Sequence, residues 1–178
     1  PTCTTPTTSK GYVRVFRRLN RDDITENWVQ IGADADIEGE HAGDYFGLSL
    51  SMAYDYESPV MVGAPFWKEQ GGTDVRVGRA YVYAYDPFMS KRYKHFKTFE
   101  GDTTRDKFGW SVSISEDATR AVIGAQTADP NGELDGFRGT VQGYRVIFTT
   151  RVVSSSFEIS GPSRRRLDGS ISTFNPAP

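Results

Sequence analysis

The chain has 178 residues, with 21 lysines and arginines against 23 aspartates and glutamates, for a formal charge of −2. That length fits one domain, or two small ones, and is enough to bury a core. So balanced a charge sets up no long-range field to draw the chain onto nucleic acid or anionic lipid, and neither is expected as a partner.

Eighteen glycines, 13% aromatics and 37% hydrophobic residues describe a turn-rich all-β domain. No apolar run approaches the ~20 residues that cross a bilayer, so no membrane insertion is expected. Residues 1–10 are rich in Thr and Pro and read as a tail. They hold Cys3, the only cysteine. A disulfide within the chain is therefore excluded, and Cys3 is either free or bonded to another chain.

From Gly11 the sequence becomes periodic. The starts GYVRVF at Gly11, GRAYVY at Gly78 and GTVQGY at Gly139 share a small or β-branched residue two positions on (Val13, Ala80, Val141) and an aromatic five on (Phe16, Tyr83, Tyr144). This is the period of two of a strand with one buried face. A second strand follows in WVQIGADADIEG and in RYKHFKTFEG, each ending in a glycine and an acid (Gly39-Glu40, Gly101-Asp102).

The third strand starts at Phe46-Gly47 and again at Phe108-Gly109, an offset of 62 (108 − 46). Leu48, Leu50 and Met52 oppose Ser49 and Ser51, as Trp110, Val112 and Ile114 oppose Ser111, Ser113 and Ser115. A face of serines lets another sheet approach closely, and the alternation puts Trp110 in the core. The fourth strand, Val60–Ala64 and Ala121–Ala125, is apolar at nearly every position and reads as buried on both faces. The units are therefore 11–77, 78–138 and the start of a third at 139–153. Residues 154–178, rich in Ser, Arg and Pro, read as a tail or as the start of another unit.

FGLSLSM with VGAP, and FGWSVSI with IGAQ, resemble the FG-GAP repeat family, whose blades form the propellers of integrin alpha chains and of many secreted surface proteins. The resemblance spans residues 11 to 148, with Gln126 where the family has proline. It implies a β-propeller with two full four-stranded blades and part of a third. Family members often carry a calcium loop between the Phe-Gly and Gly-Ala strands. Here those loops, AYDYESP and EDATR, lack three alternating oxygen ligands with a turn glycine, so the chain resembles a variant without the calcium loop. The one other acidic alternation, Asp129, Asn131, Glu133 and Asp135, is a weak candidate for a metal and a ready polar hairpin loop on Asn-Gly.

His41 and His95 stand apart from any zinc spacing, and neither a G-x-S-x-G elbow nor a phosphate-binding glycine loop occurs. No catalytic residue and no cofactor is therefore predicted. The function expected is that of a non-enzymatic extracellular or cell-surface repeat protein in structural assembly or adhesion. Its expected partners are other chains, or copies of itself, that complete or stack the blades. One alternative is a carbohydrate-binding propeller, with Trp67 and Tyr56 at strand ends to stack on glycans. Another is a non-catalytic fragment of a larger secreted enzyme.

Overall fold

The computed structural model describes residues 10–18, 28–32, 36–54, 58–68, 77–88, 90–102, 105–127 and 139–146, and the backbone of 163–165 and 171–172. Thirteen strands are present and no helix occurs among the described residues. They are β1 (Tyr12–Val13), β2 (Val15–Arg18), β3 (Trp28–Ile31), β4 (Ile37–Glu38), β5 (Ser49–Met52), β6 (Val60–Ala64), β7 (Arg79–Asp86), β8 (Arg92–Glu100), β9 (Phe108–Ile114), β10 (Arg120–Ala125), β11 (Thr140–Arg145), β12 (Ser163–Arg165) and β13 (Ile171–Ser172). The chain is all-β as expected, and every pairing among the described strands is antiparallel.

The sheets are blade-like, and the described residues form no closed ring. Strands β5-β6-β7-β8 make a four-stranded meander, here the first sheet. Strands β9-β10-β11-β12-β13 make the second. Ahead of both lie two strand pairs, β1-β4 and β2-β3. Each sheet straddles the periods of the sequence: the Phe-Gly and Gly-Ala strands of one unit pair with the glycine-first strand that opens the next. Short connections explain this, since β6 leads directly into β7 and a hairpin neighbour is the nearest partner. Strands β12 and β13 come from the serine- and arginine-rich segment and continue the second sheet through β11.

The first sheet is sandwiched, which is why β6 is apolar throughout. Val60, Val62 and Ala64 point into one cluster with Val13, Val15, Ile37, Phe46 and Tyr81. Met61, between them, points into the other with Val82, Phe99, Phe108 and Ile123. A strand with a neighbour on both faces has no side left for polar residues, and all five residues of β6 are buried. Among the described residues, its counterpart β10 has a neighbour on one face only. Ala121, Ile123 and Ala125 are buried, while Val122 is exposed.

The tyrosines at 81, 83 and 85 pack across strands, Tyr83 on Phe46 and His95, Tyr85 on Tyr93. Trp110 departs from expectation. It is 38% exposed, because it lies at the rim of the contact between the two sheets, beside Phe66 and Lys107.

Candidate functional site

The most elaborated part of the molecule is the joint between successive sheets, and it is made twice from the same residue types. Phe108, fully buried, opens β9 and sits against the strands of the first sheet. Gly78 and Gly101 form its seat. The Gly101 N–H donates to the Gly78 carbonyl at 3.1 Å, and the Phe108 N–H donates to the Val77 carbonyl at 3.1 Å. A Cβ on Gly78 would lie 2.4 Å from the Phe108 carbonyl oxygen, and one on Gly101 would lie 2.9 Å from the Phe108 Cβ. Only hydrogen fits at either place.

One unit earlier, Phe46 sits in the same way on Gly11 and Gly39, whose N–H···O bond is 3.0 Å. There the added Cβ atoms would stand 2.4 Å from the Phe46 carbonyl oxygen and 2.7 Å from its Cβ. The glycine-first and glycine-acid signals of the sequence are thus the two halves of one socket, and the phenylalanine of Phe-Gly is its plug.

The turn that delivers each plug is also duplicated. Asp44-Tyr45-Phe46-Gly47 and Asp106-Lys107-Phe108-Gly109 both place the second residue at positive φ, 58° for Tyr45 and 52° for Lys107. In each the carbonyl of that residue accepts from two residues past the phenylalanine, Leu48 N–H at 3.0 Å and Trp110 N–H at 3.1 Å. Both aspartates are buried, and their carbonyls accept from Phe66 N–H and Thr127 N–H, each at 3.2 Å. Burial pushes the Asp44 carboxyl above its ordinary range, although it accepts the His41 N–H at 3.1 Å. The repeated aspartate two places before Phe-Gly was a visible signal in the sequence that the strand reading passed over.

Beyond the plug, serines draw the sheets together. Ser49 Oγ donates to the Gly109 carbonyl at 2.8 Å, and Ser51 Oγ accepts the Ile114 N–H at 3.0 Å. The close approach expected of the serine face is present, and Gly63 behind Ser49 is part of it: a Cβ there would meet Gly109 O at 2.0 Å.

The acid that follows each socket glycine fastens the outer end. Glu40 Oε2 accepts from Trp67 Nε1–H at 2.8 Å and from Arg79 Nη1–H at 3.1 Å. Arg79 also donates to Glu100, from Nε at 3.0 Å and Nη2 at 2.7 Å. Burial is the largest single influence and opposes the guanidinium charge, but Glu100 and Tyr81 together outweigh it and raise the Arg79 pKa. In the next joint Asp102 holds the matching place and accepts from Gln142 Nε2–H at 3.3 Å.

The structure puts Trp67 inside this arrangement. It is buried, the Arg79 guanidinium lies 3.1 Å from its ring centre, and its N–H is bonded to Glu40. Tyr56, Cys3 and the Asp129, Asn131, Glu133 and Asp135 alternation lie outside the described residues. In the EDATR loop Asp117 closes a turn, accepting from Ser115 Oγ at 2.6 Å, Thr119 N–H at 3.1 Å and Thr119 Oγ1 at 2.9 Å. Those bonds, led by that of Ser115, hold its carboxyl down at about 2. No group of three or more metal-ligating side chains occurs among the described residues.

Comparison with curated proteins finds no match for this chain. A family model does match: residues 101–137 fit the FG-GAP repeat. That stretch runs from the socket glycine Gly101 through the plug Phe108-Gly109 and the Gly124-Ala125 strand to residue 137. The joint built around Phe46 repeats, one unit earlier, the arrangement found in the stretch that matches the FG-GAP repeat.

Proposed function

We propose that this is a non-enzymatic repeat protein of the cell surface or extracellular space, whose blades serve structural assembly or adhesion. One observation carries the reading: the repeated socket, plug, serine pair and acid all serve to join one sheet to the next. Residue types that could do chemistry, such as Glu40, Asp44 and Arg79, are engaged in holding that joint. FG-GAP repeats belong typically to extracellular or surface proteins and are generally non-catalytic, which supports both halves of the proposal. Trp67, on which a carbohydrate-binding role would lean, has its ring covered by Arg79.

The test is antibody staining of the cells that make the protein, before and after permeabilisation. Staining of intact cells and of the material around them is expected. Staining that appears only after permeabilisation overturns the surface reading.

A further inference from the structure

Strand β8, at one side of the first sheet, is strongly basic in a chain whose net charge is −2. With the residue before it, it opens Lys91-Arg92-Tyr93-Lys94-His95-Phe96-Lys97. Lys91, Arg92, Lys94 and His95 are exposed, and Lys97 is half-buried. Between residues 86 and 97 the one acid is Asp86. Its carboxylate is divided among the Phe88 N–H at 3.1 Å, the Ser90 N–H at 3.2 Å, the Ser90 hydroxyl at 3.1 Å and Lys94 Nζ at 2.7 Å. The fold does not ask for these cations. In the unit before, the second strand opens with β3, which reads WVQI and carries none.

A bulge puts three of them on one face. Along β7, Asp86 pairs with Arg92, Ala84 with Lys94 and Tyr83 with His95, and then the register shifts so that Val82 pairs with Lys97. Phe96 is the extra residue and packs against the core. Strict alternation would turn Lys97 to the same side as Tyr93 and His95. The bulge instead sets it with Arg92 and Lys94, beside the even-numbered residues of β7, as bulges re-aim side chains elsewhere. Those β7 partners are two residues apart, which spaces the three cations at intervals of about 7 Å along the strand. Lysines on an outer strand also discourage other sheets from pairing with it, but that use needs no common face.

We infer that Arg92, Lys94 and Lys97 form a binding strip for a linear sulfated polysaccharide that lies along β8. A straight row of cations on a rigid strand suits a polymer that repeats its anionic groups, and the guanidinium of Arg92 can hold a sulfate through two hydrogen bonds. A nucleic acid fits less well, because single strands are held by stacking bases on aromatic rings. The rings of this strand are turned away: Tyr93 packs on Tyr85 and His95 on Tyr83, across the sheet from the strip. With a net charge of −2 the attraction is local, so contact and not long-range steering holds the ligand. The inference rests on the surface reading above, which places the chain among such glycans, and gives its adhesion a ligand.

Affinity of the full chain for heparin, measured by interferometry at low and moderate salt, tests this with two triple variants of equal charge. The wild type is expected to bind, and more weakly as salt rises. Changing Arg92, Lys94 and Lys97 together to Gln is expected to weaken binding about tenfold or more. Changing Lys10, Arg17 and Arg145 to Gln, all exposed and off the strip, is expected to leave it within about twofold of the wild type. Circular dichroism checks each fold. If the strip variant loses structure, Arg92→Gln and Lys97→Gln singly replace it, each expected to weaken binding more than Arg17→Gln does. Four results overturn the inference: a wild type that does not bind, two triple variants that lose affinity equally, a strip variant that keeps its affinity but aggregates, or single-stranded DNA that displaces heparin at equal charge. The third would assign the cations to edge protection. A wild type that stains intact cells yet ignores heparin would sink the strip and leave the surface reading standing, whereas staining only after permeabilisation would sink that reading and the sulfated ligand with it.

Discussion

Ser49 of one sheet donates to the backbone carbonyl of Gly109 in the next at 2.8 Å, across the place where the two sheets come closest. Neither residue could be larger without parting the sheets. Ser49 Oγ already lies 2.2 Å from where a Cβ on Gly63 would stand, and a Cβ on Gly109 would stand 2.2 Å from the Arg79 carbonyl oxygen. Ser49→Ala removes the hydrogen bond alone and is expected to cost about 1 kcal/mol. Ser49→Val adds bulk against Gly63 and is expected to cost about 1–3 kcal/mol more through overpacking. Urea unfolding at unchanged m-value measures both, and equal midpoints for the two variants would contradict the close-approach account.

Two glycines with nearly the same backbone separate conformation from contact. Gly78 (φ 80°) carries the Phe108 socket, whereas Gly43 (φ 87°) has nothing within 4 Å of its absent Cβ. Gly43→Ala meets only the left-handed penalty, about 1–2 kcal/mol. Gly78→Ala meets that and a collision with the Phe108 backbone, about 2–4 kcal/mol in total. The difference between the two unfolding midpoints reads the steric part directly, and a smaller loss at Gly78 would remove the socket from the account.

Trp67 is expected to act through stability. Trp67→Phe keeps a ring beneath Arg79 and loses the bond to Glu40, at about 1.5 kcal/mol. Trp67→Ala also opens a cavity among Val62, Ala64 and Tyr81, at about 3–5 kcal/mol. A thermal melt ranks them. An alanine variant as stable as the wild type would mean that the buried ring contributes nothing to the joint.

Alkaline pH should loosen the fold through its tyrosines. Burial, aided by the charge of Glu40, pushes the Tyr83 hydroxyl up to about 12, and burial, aided by Tyr85, does the same for Tyr93. Between about pH 10 and 12 the unfolded chain releases these protons and the folded chain keeps them, so the unfolded state binds fewer and stability falls as pH rises. Their contribution is complete below pH 10. Tyr83→Phe has no proton to lose and should flatten the decline in urea midpoint across that window. An unchanged slope in this variant would show that Tyr83 does not titrate with unfolding.

Much of this was readable from residue order. A phenylalanine-glycine pair that returns after 62 positions, with a glycine-alanine strand in step behind it, specifies a repeated sheet because strand periodicity and turn glycines are local properties. The apolar run Val60–Ala64 even announced that both of its faces would be covered. The aspartates at 44 and 106 were equally plain in the text, but their role depends on the positive-φ turns that follow, and a pattern of strands does not show it.

The sequence by itself determined that the chain is all-β, that it repeats, and that small residues recur where sheets meet, since these follow from side-chain size and alternation along one strand. Only the tertiary structure decided which strands share a sheet, that Gly78 and Gly101 close around Phe108 from two different strands, and that Trp67 lies under Arg79. The same is true of coverage. Met61 and Val122 occupy the same place in their repeats, yet one is sealed and the other open, because burial depends on whether a neighbouring sheet is present and no single strand carries that information.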